Sequence, residues 1–321
     1  MLLFIAFFTF ACDKSSNTTS VTPSTTANTD DSVIIEVNPT HFLTAGLTES
    51  ITKVSQTLAN GSSVMCYKIV SNNTPSDHTQ GPWCPTNIND GIDKGGIWFE
   101  GGKLYDVDGP FVKNLATFYS NTTWKLYNTT TGAINVTDTK AACEAAARPN
   151  VDPMYKNYCV QCLPSYFPGI KKIYYIPVKP VKSTNTVPIL GMGGVVGIAF
   201  NGINFDPPAP TQAILGAYTL APFDDAGGHV NGATGYHYHA ATGKSTKIKQ
   251  SDAHAAMIGY AMDGYGIYEN LDEEGKESTG LDASRGHYDA KRGYHYHVAT
   301  AGSNSFINSF RGVPGKFSVT L

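Results

Sequence analysis

The sequence predicts a mainly β protein, α+β at most. It predicts internally duplicated, pseudo-symmetric β units in the C-terminal half, preceded by a β-rich N-terminal region with one short helix. Three observations carry this. Glycine (32), tyrosine (18) and proline (18) are plentiful while charged residues make up 15%, a mix that suits short strands joined by tight turns. Apolar residues alternate with polar ones over short segments bounded by Gly, Asn and Asp. The pentapeptide GYHYH stands at 235–239 and again at 293–297.

The chain opens MLLFIAFFTFACDKSS. Its apolar run is too short to cross a bilayer and reads as the core of an export signal. Ala11-Cys12 resembles a lipobox, with Thr9 and Phe10 departing from the usual residues, so residues 1–12 are expected to be a signal peptide ending in a lipid anchor at Cys12. Residues 13–32, DKSSNTTSVTPSTTANTDDS, hold almost nothing apolar and read as a flexible tether. The expected location is that of an exported bacterial lipoprotein, on the outer membrane, at the cell surface or in the periplasm, or otherwise of a secreted protein. No transmembrane span is expected in the mature chain. Six cysteines fit an exported chain with disulfides. Cys66 and Cys84 form a plausible pair, and Cys143 is expected to bridge to the CVQC stretch at 159–162 rather than leave it redox-active.

Residues 33–190 form the N-terminal region. SVIIEVN (32–38), VMCYKIV (64–70) and KKIYYIPVKPV (171–181) read as strands. GGIWFEGGKLYDVDGPFV (95–112) reads as short strands broken by glycine turns, and TWKLYN and AINVTD flank a TTTG hairpin signal. The helix is expected at about 138–148, with Asp138 as N-cap and Pro149 as terminator.

Residues 191–321 carry two repeats, 195–242 and 257–300. VVGIAFNGINF matches MIGYAMDGYGI, each with a bulky face, a nearly bare glycine-alanine face, and an Asn-Gly or Asp-Gly turn. DDAGGHVNGATGYHYHAAT (224–242) aligns without gaps to DASRGHYDAKRGYHYHVAT (282–300). The shared pattern is an aspartate, then Gly-His, then GYHYH.

Seven of the nine histidines lie between 229 and 297. On a strand, the two histidines of YHYH share one face and the two tyrosines the other. His237 and His239, and likewise His295 and His297, therefore present paired imidazoles; His229 and His287 stand one loop earlier, and His254 adds a seventh. Neutral imidazole is the commonest metal ligand, and His-x-His on a strand lets one ion reach both rings. Three histidines with an open position suit copper or zinc. Asp224 and Asp282 are placed to orient ligand histidines from behind, or to cap a loop.

The doubled GYHYH, the two Gly-His steps and the IGYAMDGYGIY strand resemble the YHYH domain family of exported proteins, over roughly 190–312. NNTPSDHTQGPWC (72–84) resembles a weaker element of that family carrying an Asp-His pair, Asp77-His78, and the resemblance brings His78 and His254 into the candidate metal site; Asp77 and Asp263 are candidate supporting carboxylates. Many members carry a cysteine two residues after each repeat's aspartate; here those positions are Ala226 and Ser284, which implies a site of histidine and carboxylate alone.

A net charge of −3 with no basic stripe gives nucleic-acid binding no support. The expected function is an exported, lipid-anchored metal-binding protein for copper or zinc. Its alternatives are a metalloenzyme performing metal-assisted hydrolysis or copper oxidation, with Asp263 or Asp225 as base, and a structural or adhesive β module held by a His/Tyr/Asp network.

Overall fold

A computed structural model describes residues 33–148, 150–190 and 194–320. The expected signal, the tether and Cys12 lie outside the described residues. In chain order the elements are β1 (Thr52–Thr57), β2 (Ser63–Ser71), β3 (Ile97–Glu100), β4 (Lys103–Asp106), α1 (Gly109–Phe118), α2 (Lys140–Ala146), β5 (Lys171–Pro177) and β6 (Lys182–Pro188). There follow β7 (Gly197–Ala199), β8 (Asn204–Phe205), α3 (Thr211–Gly216), β9 (Gly228–Asn231), β10 (Gly235–Tyr238), β11 (Met257–Ala261), β12 (Gly266–Tyr268), β13 (Gly286–Asp289), β14 (Gly293–His297), β15 (Ser309–Gly312) and β16 (Lys316–Thr320). The protein is mainly β. No helix among the described residues is long and apolar enough to cross a membrane.

An eight-stranded sheet dominates, in the order β13-β14-β12-β11-β7-β8-β10-β9. Read outward from the central antiparallel pair β7·β11, the two halves have the same plan. Each has an antiparallel neighbour (β8 or β12), then a parallel GYHYH strand (β10 or β14), then its antiparallel hairpin partner (β9 or β13). The centre depends on the bare faces of the two matching strands. A Cβ on Gly197 would lie 2.4 Å from Tyr260 O, and one on Gly259 would lie 2.2 Å from Ile198 O. Only glycine allows that approach. The turns fall where Asn-Gly and Asp-Gly predict them, with Gly202 and Gly264 at φ +88° and +90°.

A four-stranded antiparallel sheet, β1-β2-β5-β16, takes its last strand from the C-terminal end of the chain. One apolar core serves both sheets: Ile69, Tyr174 and Ile176 pack into the same cluster as Ile198, Phe200 and Ile258. Full burial of an aliphatic or aromatic side chain of this size contributes about 1.5–3 kcal/mol.

The N-terminal region differs from expectation in four places. Residues 33–38 form no strand; Ile34 and Ile35 are exposed, and the segment is held through Val37 N donating to Val178 O. Among the described residues of this region there are two α-helices rather than one, and Pro149, the expected terminator, lies outside the described residues. The DGPF step, read as part of the short strands broken by glycine turns over 95–112, starts α1: Asp108 accepts from Phe111 N and Pro110 fills the first turn, where its missing N–H costs nothing. In α2 the N-cap is Thr139, not Asp138. The disulfides are Cys84–Cys159 and Cys143–Cys162, so Cys84 does not pair with Cys66. Cys66 is a free thiol buried on β2 against Leu58 and Val313. Two disulfides are consistent with an exported protein.

Candidate metal centre

Hairpin register assembles the imidazoles. In β9·β10, His229 stands opposite His237; in β13·β14, His287 stands opposite His295. The second histidine of each pentapeptide, His239 or His297, follows on the same face. The result is two separate clusters: His229, His237 and His239 in one, and His254, His287, His295 and His297 in the other. In each, the candidate ligand atoms lie within 4.8 Å of one another. The triads have nearly the same shape. The Gly-His ring meets the first YHYH ring at 4.8 Å and 68° in one and at 4.6 Å and 68° in the other. It meets the second YHYH ring at 4.9 Å and 88° in both.

Six of the seven Nδ1 atoms are tied to main-chain carbonyls. His237 Nδ1 donates to Gly235 O (2.8 Å) and His295 Nδ1 to Gly293 O (3.0 Å). His239 Nδ1 donates to Pro207 O (2.7 Å) and His297 Nδ1 to Glu269 O (2.9 Å). His287 and His254 do the same to Thr279 O and Ala255 O. A carbonyl has no hydrogen, so each contact requires the proton on Nδ1 and leaves a lone pair on Nε2 of the neutral ring. Those Nε2 atoms converge. His287 to His295 is 3.0 Å, His254 to His295 is 3.1 Å, His287 to His297 is 3.2 Å, and His229 to His239 is 3.2 Å. Ser278 Oγ, 3.2 Å from His297 Nε2, can serve one lone pair but not four. At the four-histidine cluster every ring is tied in this way, and facing lone pairs at this distance repel unless a cation lies between them; at the first cluster His229 is not so tied, and Asn231 Nδ2 lies 3.5 Å from His237 Nε2. A proton is disfavoured there, because burial lowers the basicity of His239 to about 4 and of His297 to about 3 and holds His229, His237 and His295 well below the usual imidazole value. A tetrahedral ion with metal–nitrogen bonds of about 2.0–2.1 Å sets its ligand nitrogens about 3.3 Å apart, close to the spacing here.

The opposite face of each GYHYH strand is a tyrosine network, and it claims the carboxylates expected behind the histidines. Asp224 Oδ1 accepts from Ala226 N and Gly228 N, capping the loop, and Oδ2 accepts from Tyr236 Oη at 2.8 Å. Asp282 does the same for Ser284 N, Gly286 N and Tyr294 Oη, the last at 2.8 Å. These aspartates fix the tyrosine side of the strand rather than an imidazole. Asp263 accepts from Tyr296 Oη (2.6 Å) and Gly312 N (2.9 Å); burial raises its carboxyl. His78 also lies on the tyrosine face, apart from both clusters. Its Nδ1 donates to Asp77 Oδ1 at 2.7 Å and its Nε2 is 3.1 Å from Tyr236 Oη. Burial works against ionisation of Asp77, but hydrogen bonds from His78, Asn201 and Thr246 hold its carboxyl well below the usual range. Asp225 is on the surface, paired with Lys244.

Two side chains at the first cluster lack any motif in the sequence. Asp206 follows β8 and puts Oδ2 3.7 Å from His237 Nε2. It accepts from Asn204 Nδ2, whose Oδ1 accepts from the fully buried Lys172 Nζ at 2.5 Å. The matching position at the second cluster is Tyr268, whose ring packs on His254 and His295 at 5.0 and 4.9 Å.

The fold and the clusters together define a class: a mainly β protein displaying two buried histidine clusters on like-planned hairpins. Residues 173–276 match the family model described as YHYH protein, so the chain carries a YHYH domain. The match includes the first GYHYH and stops before the second. No curated protein and no solved structure matches the chain.

Proposed function

We propose that this is an exported, lipid-anchored protein that binds copper or zinc, one ion at each histidine cluster. The convergence of Nε2 lone pairs at the four-histidine cluster, with its Nδ1 protons pledged to carbonyls, carries the reading, and the first cluster repeats the shape of that triad. All-imidazole donor sets suit these two metals, and the carbonyl partners supply the outer support that metal-bound imidazoles ordinarily have. A purely structural network accounts well for the tyrosine face, where donors meet acceptors, but not for the four-histidine cluster, where carbonyl-tied rings bring acceptor against acceptor.

Elemental analysis of protein purified without a histidine tag is expected to find about two equivalents of copper plus zinc. His237→Ala with His295→Ala is expected to leave neither site filled. Metal content that survives this double replacement sinks the assignment. The anchor is tested separately: the parent chain should sediment with membranes and Cys12→Ala should release it, whereas an unchanged distribution would remove lipidation from the proposal.

A further inference from the structure

We propose that the two centres are unequal, and that the first binds a small monocarboxylate with an apolar body through the open position of its metal. This rests on the metal reading above. At the second centre, His254 supplies a fourth nitrogen and Tyr268 packs against the rings, so a tetrahedral ion is closed by protein alone. The first cluster has three histidines, and they form part of the wall of a cavity of about 250 Å³. Three protein ligands and an open position facing a cavity is how reactive or ligand-binding centres are built.

The walls select the ligand. Trp83, Pro207, Ile214, Ala221 and Val230 face the cavity, which exceeds the roughly 150 Å³ that accommodates a benzene-sized molecule. The body of the ligand is therefore hydrocarbon and about one ring in size. Its head is set by charge. Three neutral imidazoles leave the charge of the ion uncompensated, and the Asp206 carboxylate is tied through Asn204 to the Lys172 ammonium. An anionic oxygen donor is thus favoured at the vacant position.

The test uses the full chain loaded with cobalt(II), whose visible bands report coordination at each site, titrated with benzoate and with acetate. Benzoate is expected to shift the bands of one of two cobalt ions, at a concentration roughly tenfold or more below that needed for acetate, since the ring is buried and the methyl group is not. Ile214→Trp and Ala213→Phe, which add bulk to the cavity without touching a histidine, are each expected to abolish the benzoate shift with both cobalt ions retained. Bands that do not move, acetate as effective as benzoate, a response from both ions, or a benzoate shift that survives both variants would each overturn the inference while leaving the metal reading intact. A chain that binds no cobalt overturns both.

Discussion

Lys172→Met should destabilise the protein by about 3–5 kcal/mol, the usual cost of stripping one partner from a buried ion pair. Lys172 is wholly buried on β5, and its ammonium donates to Asn204 Oδ1 and Tyr236 O. Asn204 in turn donates to Asp206, itself nearly buried. Burial pushes the lysine down and the aspartate up, each to about 7, while the charge of each partner opposes the shift. Removing the cation leaves Asp206, beside His237, without the charge that favours its ionised form, an amide oxygen without its donor, and the carbonyl of the first GYHYH tyrosine unsatisfied. Adding Asp206→Asn to Lys172→Met removes the stranded acid and is expected to recover a large part of the loss. Denaturant unfolding of the two single variants and the double variant supplies the cycle. A Lys172→Met protein as stable as the parent, or a double variant no better than the single, would show that the pair carries no coupling.

That pair marks the limit of what the sequence discloses. The alternation in YHYH already puts imidazoles on one face and phenols on the other, because side-chain direction on a strand depends on local geometry alone. The strands 64–70 and 171–181 are legible for the same reason. The SVIIEVN segment alternates just as well yet finds no ladder, since pairing is decided by what lies beside it. The start of α1 was marked by Asp108 and Pro110 two residues apart, a helix-start signal obscured by the glycine-rich strands before it. Asp224 and Asp282 could equally have faced a histidine or a tyrosine. The choice follows from loop closure, which brings the tyrosine hydroxyl over the glycine of the Gly-His step. Asp206, just after β8, and Lys172, on β5, come from different sheets, and only the packing of one sheet on the other brings them near His237. His78 is 158 residues from Tyr236, the hydroxyl it approaches, and nothing local says which face of β10 it will meet.

The glycine of each Gly-His step gives the sharpest separation between scaffold and site. A Cβ on Gly286 would lie 2.2 Å from Tyr294 Oη and 2.3 Å from its Cζ. The ring cannot retreat, because its hydroxyl donates to Asp282 and the guanidinium of Arg311 lies over its face at 4.7 Å. Gly286→Ala should therefore cost about 3 kcal/mol, the upper part of the range for overpacking. Gly228 is in the same position, with Tyr236 Cζ and Oη both 2.5 Å from the added carbon. Each alanine pushes apart the hairpin that sets its own pair of imidazoles face to face, His287 with His295 or His229 with His237. Gly286→Ala is thus expected to lose the ion of the four-histidine centre and keep the other, and Gly228→Ala the reverse. Metal analysis beside thermal unfolding distinguishes this from general loosening of the fold. If either variant released both ions in proportion to its lost stability, the two centres would be one cooperative unit rather than two independently built sites.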